Sequence, residues 1–225
     1  MPTSTVEDYL KCIYLEEQRA SGLVSMGTVA EALGVASGTV TAMVKTLAQS
    51  DLVEYEPYAG VRLSAAGRQL ALHVLRRHRL IEVFLVEVMG FDWGEVHEEA
   101  EQLEHVVSDR LVARMDEMLG HPSVDPHGDP IPSAEGVVDE GRYADLLSFE
   151  EGSTVYIARV RDQSGDFLRL VDRSGLVPGA LVRLVGIDPA AETVELELEG
   201  GRRVSLGSGA AAKLEARPAL EAVQS

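Results

Sequence analysis

Cysteine is nearly absent from this 225-residue chain: Cys12 is its one thiol. No internal disulfide can staple the fold, which suits a reducing compartment. Long hydrophobic runs are missing as well. Charges interrupt every apolar stretch well short of the roughly 20 residues that a bilayer-spanning helix needs. Glu7 and Asp8 follow Met1 closely, without a basic start or an apolar leader. The expectation is a cytoplasmic protein. Basic residues are scarce, with Lys and Arg totalling 20 against 37 Asp and Glu, for a formal net charge of −17. Taken whole, that balance disfavours a nucleic-acid partner. Its distribution reverses the inference. Residues 1–80 carry 8 basic and 8 acidic side chains, residues 81–145 carry 3 and 17, and residues 146–225 carry 9 and 12. The acid is concentrated in the middle, where a cation would offset it, although most such charge is ordinarily solvated helix surface.

What is present reads as three successive patterns. Tyr9, Leu10, Ile13 and Tyr14 recur at helical spacing. Ser25 caps a short helix through Met26–Leu33 that Gly34 ends, and a second helix runs from Ser37 to Ser50. Leu52–Glu56 and Val61–Ser64, joined through Pro57-Tyr58-Ala59-Gly60, form a β-hairpin. Helix, turn, helix and hairpin in that order make a winged helix-turn-helix. Ala65–Met89 then predicts a long helix, Asp92 and Glu95 a capping box opening the next, and Ser108 the cap of a third ending near Gly120. Residues 121–141, rich in Pro, Gly and Asp, read as a linker. Beyond it the period changes to two: Thr154–Arg161, Leu181–Ile187, Thr193–Glu199 and Arg202–Leu206 predict short strands of a small β-barrel or sandwich.

One stripe carries chemistry. His97, Glu101, Glu104 and His105 share a helix face by spacing, His78 and Glu82 are four apart on the preceding helix, and Asp8 is a candidate from a separate segment. Nitrogen and oxygen donors on several helices are how helical proteins build metal sites. Taken alone, such a stripe is more often plain helix surface.

The stretches "RRHRLIEVFL" (76–85), "EVHEEAEQLEHVVSDRLVARMDEMLG" (95–120) and "DPHGDPIP" (125–132) follow "TVEDYLKCIYLEE" (5–17). In this order they resemble the diphtheria toxin repressor family of metal-dependent transcriptional regulators, and its manganese-responsive branch in particular. The resemblance implies a mainly α chain with a β-rich C-terminal domain. Its parts are a winged helix DNA-binding domain (1–72), a helical dimerisation and metal-binding domain (73–140), a linker (141–150) and an SH3-like, FeoA-like domain (151–225). It implies a primary metal site at Asp8, Glu101, Glu104 and His105, and an ancillary site at His78, Glu82 and His97, hence two ions per subunit. Asp162 or Gln163 of the β-rich part would complete the ancillary site. Iron-responsive members carry Met and Cys where this chain has Asp8 and Glu101. Manganese prefers hard oxygen donors, so the expected cofactor is Mn(II), with Fe(II) as the alternative. Lys11 stands where compact manganese regulators often carry another Glu.

The same resemblance makes Ser37–Ser50 the recognition helix. Ser37, Thr39, Thr41, Lys45 and wing residue Arg62 are the candidate DNA contacts. Ser37 is equally a helix cap, Thr41 packing, and Arg62 an exposed strand residue. Cys12 reads as buried packing, and His73, His121 and His127 as non-ligands. The implied function is repression of metal-uptake genes by a metal-loaded homodimer on palindromic operator DNA. The other classes are a metal-independent winged helix regulator and a binuclear metallohydrolase. Against the enzyme, no separate nucleophile, base or Gly-rich substrate loop stands out.

Overall fold

The structure, a computed structural model, describes residues 3–19, 22–139 and 141–219. The last residues of the expected β-rich domain, 220–225, lie outside the described residues. The chain divides into two compact units. The first comprises the described residues up to His78, with Gln102–Val112 and Pro132–Val138. The second comprises Arg79–Glu101, Ala113–Ile131 and the described residues from Asp139 onward.

The first unit opens with helix α1 (Ser4–Arg19), followed by α2 (Met26–Leu33) and α3 (Ser37–Gln49). Leu10, Ile13 and Tyr14 form the buried stripe of α1 and meet Val29, Val40, Val44 and Leu47 in one core. α2 begins as the sequence predicts: Ser25 Oγ accepts from the Thr28 amide at 3.0 Å. It stops at Gly34, whose φ of 65° is left-handed. Across the break α2 and α3 bend by 109°, the geometry of a helix-turn-helix. Ser37 does not cap α3. Ala36 holds the extended cap position without a side-chain bond, and Ser37 is the first helical residue, its carbonyl accepting from Thr41 Oγ1.

Strands β1 (Val53–Glu56) and β2 (Gly60–Leu63) pair antiparallel from Val53 with Leu63 to Glu56 with Gly60. Val24 bridges to Val61, pressing the wing onto the turn before α2. Gly60 is required there. Its φ is 149°, and a Cβ would meet Val24 O at 2.6 Å. Helix α4 (Ala65–Glu87) follows, and its first turns close the core through Ala71, Leu72 and Leu75.

Helices α5 (Val96–Leu103) and α6 (Asp109–Met118) depart from the expected pattern. Asp92 does not open a capping box. Its Oδ1 accepts from Gly94 N at 2.8 Å in a tight turn, and the helix begins at Val96. α5 ends at Leu103, whose carbonyl accepts from both Val106 N and Val107 N at 3.0 Å. Glu104 and His105 therefore sit in the turn, not on a helix stripe. The chain stops there because Ser108 restarts it: Ser108 Oγ accepts from Leu111 N at the head of α6.

The β-rich part of the second unit is an antiparallel sheet. Its strands are β3 (Ala144–Asp145), β4 (Thr154–Val160), β5 (Leu181–Asp188), β6 (Thr193–Leu198), β7 (Arg203–Gly207) and β8 (Leu214–Pro218). The order is β3-β8-β4-β5-β6-β7, and no pairing joins β7 to β3 among the described residues. This sheet is the expected SH3-like region, with an open hydrogen-bond ladder. Register shifts at Ile157/Arg159 and Leu184/Gly186 bend the strands. Alternating Val155 and Ile157, Val182 and Leu184, Val194 and Leu196 fill its core. Helix α7 (Gly165–Ser174), which the strand pattern does not announce, adds Leu168 and Val171. Residues 141–150, expected as a linker, carry β3 and a 3-10 turn, with Leu146 wholly buried.

Candidate metal centre

In the first unit α1 presents Glu7, Asp8 and Lys11 toward the turn that holds Glu104 and His105. His105 Nε2 lies 2.8 Å from Asp8 Oδ1 and 3.3 Å from Glu104 Oε1. His105 Nδ1 is 2.7 Å from Glu7 Oε2. A carboxylate only accepts, so Glu7 accepts from Nδ1–H, and Nε2 is the ring atom that faces the two carboxylates of Asp8 and Glu104. Arg77 Nη2 in turn donates to Glu7 Oε1 at 3.0 Å. Donor atoms of Asp8, Glu104 and His105 all lie within 4.8 Å of one another. Sequence reasoning missed Glu7, although it adjoins Asp8.

Glu104 is fully buried. Its Oε1 accepts from Lys11 Nζ at 2.6 Å, and its Oε2 lies 2.6 Å from His78 Nδ1. Burial by itself pushes the carboxyl up, but the bond from His78 and the Lys11 charge outweigh it and hold Glu104 below its ordinary value. His78, expected in the ancillary site, is thus engaged by a carboxylate of the expected primary site.

A second group lies in the second unit. Donor atoms of Glu82, Asp125 and His127 fall within 4.8 Å of one another, and all three side chains are buried. His127 Nε2 is 2.9 Å from the Trp93 carbonyl. A carbonyl only accepts, so Nε2 donates to it, and in the neutral imidazole Nδ1 carries the lone pair. That Nδ1 is buried without a hydrogen-bond partner. It faces Glu82 Oε2 at 3.9 Å and Asp125 Oδ1 at 4.0 Å. Both separations are within twice a metal–ligand bond of about 2.1 Å. An orphaned imidazole nitrogen between two carboxylates fits a divalent ion. Asp125 Oδ1 is held by the amides of His127 (2.8 Å) and Asp129 (2.9 Å). Burial first, and then the nearby Asp129 and Glu82, push the Asp125 carboxyl well above its ordinary value, against the pull of Arg79.

The segment read as a linker is therefore packed structure, and His127 is a buried residue of its turn. Gly128 shows why: its φ is 89°, and a Cβ would meet Ala158 O at 2.0 Å. Val160 N donates to His127 O at 2.9 Å. The signal available in the sequence was the alternation Asp125, His127, Asp129 in five residues.

The remaining expected ligands lie in the second unit. His97 Nδ1 is 3.3 Å from Glu82 Oε1, and its Nε2 is 3.7 Å from Glu101, one turn on. Gln163 Nε2 donates to Asp129 Oδ2 at 2.6 Å, bracing the turn that follows Asp125. Asp162 accepts from Lys213 Nζ at 2.6 Å and from Ser164 N. Cys12 is buried, which pushes its thiol up to about 11, Glu16 adding to the shift. Both donor groups thus consist of oxygen and imidazole nitrogen, a set suited to hard or borderline divalent ions.

Of the candidate DNA contacts, Ser37, Thr39 and Lys45 are exposed on α3, and Thr41 is half-buried with its hydroxyl bonded back to Ser37 O. Arg62 on β2 donates to Glu54 Oε2 at 2.6 Å.

Known proteins resemble the chain over most of its length. Three family models match in chain order: the iron dependent repressor N-terminal DNA binding domain over residues 1–61, its metal binding and dimerisation domain over 64–133, and a FeoA domain over 145–218. The iron-dependent repressor IdeR of Mycobacterium leprae is 33% identical over 219 residues, 90% of this chain and 92% of that protein. The chain belongs to the diphtheria toxin/iron-dependent repressor family. Members of this family are metal-dependent transcriptional repressors and not enzymes, which removes the hydrolase reading. A solved manganese-dependent transcriptional repressor in complex with manganese is 38% identical, with a TM-score of 0.88 over 95% of this chain and 99% of that one. ScaR with bound cadmium is 35% identical, with a TM-score of 0.77 over 95% and 99%. Among the described residues no single helix of this repressor is long and apolar enough to cross a membrane.

Proposed function

We propose that this repressor is loaded by Mn(II) and then binds palindromic operator DNA as a homodimer in the cytoplasm, switching off metal-uptake genes. Two ions per subunit are held, one by Asp8, Glu104 and His105, the other by Glu82, Asp125 and His127. His78, His97 and Glu101 are the neighbouring donors. The working partition is the winged helix (1–72), the dimerisation and metal region (73–140), a connector (141–150) and the SH3-like domain (151–225). The observation that carries the reading is the Asp8–Glu104–His105 convergence: Asp8 lies on the first helix of the DNA-binding region, the other two within the metal-binding region. A divalent ion there supplies the positive charge that lets these donors share one point. Asp8 ties α1 to the turn after α5. Glu7 keeps His105 Nε2 aimed at that point. Ser37, Thr39, Thr41, Lys45 and Arg62 then meet the duplex, Arg62 exchanging Glu54 for a phosphate.

The absence of sulfur from both donor sets favours Mn(II). The 33% identity to an iron-dependent relative supports Fe(II) as the second reading. The test selects duplexes from a random pool on Mn(II)-loaded protein, then measures binding of the enriched duplex with Mn(II), with anaerobic Fe(II) and with chelator. Palindromic sites whose binding collapses with chelator are expected. Equal affinity for the chelated protein would overturn the switch, and an equal response to Fe(II) would reduce "manganese" to "divalent ion".

A further inference from the structure

Lys11 is a buried cation inside the centre that is meant to receive one. It sits one turn beyond Asp8 on α1, with its side chain only 10% exposed. Its Nζ lies 2.6 Å from Glu104 Oε1. That is the same oxygen that faces His105 Nε2 at 3.3 Å, while Oε2 is held by His78 at 2.6 Å. Both oxygens of this fully buried carboxylate thus already have partners. An ion entering between Asp8, Glu104 and His105 needs Glu104 Oε1 and meets the ammonium on it.

A buried carboxylate left without a partner is costly, so Lys11 stabilises the metal-free centre. An ammonium and a divalent ion on one oxygen repel each other across a few ångströms of poorly screened protein. Lysine suits an exchange of this kind, because its flexible four-carbon stem can carry the charge away as a unit. We propose that Lys11 is the resident counter-ion of this centre, and that its displacement from Glu104 sets the concentration of divalent ion at which the repressor loads. The proposal rests on Asp8, Glu104 and His105 being metal ligands.

The test uses Mn(II) alone with the full chain. Free Mn(II) is followed by its electron paramagnetic resonance signal in competition with a chelator, for wild type, Lys11→Met, Lys11→Gln and Lys11→Arg. The neutral variants should bind Mn(II) at the weaker-loading centre roughly tenfold or more tightly, because a like charge has been removed from beside the ion. Lys11→Arg should stay at or below wild type. Metal-free melting should show the opposite order, with the neutral variants lowest, and saturating Mn(II) should close the gap. In a His105→Ala background the gain from Lys11→Met should vanish, which places it at this centre. Lys11→Gln keeps a donor for Glu104 and so reports the charge if Lys11→Met fails to fold. Folded neutral variants that bind Mn(II) no tighter than wild type would overturn the counter-ion role and leave the ligand assignment standing. Mn(II) binding unchanged by His105→Ala in the wild-type chain would overturn both.

Discussion

The two donor groups of this repressor solve the same problem in opposite ways. Around Asp8, Glu104 and His105 the protein supplies its own compensation. Lys11 and His78 hold Glu104, Glu7 holds His105, and Arg77 holds Glu7. Asp8 remains 38% exposed, so solvent reaches the group. Around Glu82, Asp125 and His127 the side chains are at most 2% exposed, and the imidazole nitrogen facing the carboxylates has no partner. Buried polar atoms without partners are rare in folded proteins. The first group is poised to exchange a cation, whereas the second is incomplete without one. A switch needs a metal-free state that is itself stable, and the first group, with both oxygens of Glu104 partnered, is the better suited to one. The second has the character of an ion bound once and kept, bracing Glu82 of α4 to the Asp125–Asp129 loop.

The sharpest break in this comparison comes from removing one ligand on each side. His105→Ala should abolish the Mn(II) response of operator binding, a loss of roughly a hundredfold or more, since even removing a residue that only hydrogen-bonds a ligand costs about 10–100-fold. Fluorescence anisotropy against the selected duplex measures it. An unaltered response would move the switch to the other group. Glu104→Ala is the poorer variant. It strands the buried Lys11 ammonium, and breaking such a pair costs about 3–5 kcal/mol. Asp125→Asn keeps an oxygen for the two loop amides yet removes the anionic ligand. It should lower bound Mn(II) from two ions to one per chain by elemental analysis, while operator affinity at saturating Mn(II) falls by less than about tenfold. Complete loss of DNA binding in Asp125→Asn would erase the distinction between switch and brace.

How far each group is legible in the sequence follows from the same contrast. α2 could be read to the residue because its signals are local: Ser25 caps it and Gly34 turns it off. The strands could be read because Val155, Ile157, Val182 and Leu184 alternate into one core. Asp8, Glu104 and His105 stand out through the family pattern, but the helix expected beneath them ends at Leu103, where the restart at Ser108 wins over the helical periodicity of 95–107. Lys11 and Glu7 as partners were not legible, because pairing across 93 and 98 residues is a tertiary fact. The burial of His127 was not legible for another reason. Pro126, Gly128 and Pro130 mark irregular backbone, and irregular backbone was equated with a loose connection. Here the proline- and glycine-rich run is closed by its own bonds, Asp125 N to Asp129 O at 2.9 Å and Ile131 N to Ser123 O at 2.9 Å. α7 escaped notice because it lies between strands in a region already assigned period two.

The subtlest expected effect is a difference in the sign of pH dependence. Glu104 is held below its ordinary value: burial opposes ionisation, but His78 and Lys11 outweigh it. A depressed carboxyl contributes stability that is present above its unfolded value and lost as pH falls through the folded one. Asp125 is raised, by burial first and then by Asp129 and Glu82. A raised carboxyl contributes stability that is complete below its unfolded value and lost as pH climbs through the folded one. Melting of metal-free wild type should therefore be compared with Glu104→Gln and with Asp125→Asn from pH values below the ordinary carboxyl value of 4.5 up to mildly alkaline pH. The deficit of Glu104→Gln should be widest near neutrality and shrink toward acid. Asp125→Asn should gain on wild type as pH rises, because wild type alone must then ionise a crowded, buried carboxyl. In a chain of this size each kcal/mol moves Tm by roughly 2–4 °C, so opposite slopes are resolvable. Adding Mn(II) should flatten the Asp125 comparison, since the ion takes the place of the proton there. Two profiles of the same sign would mean that the groups do not differ in how they are compensated, and the division into an exchangeable and a retained ion would fall with it.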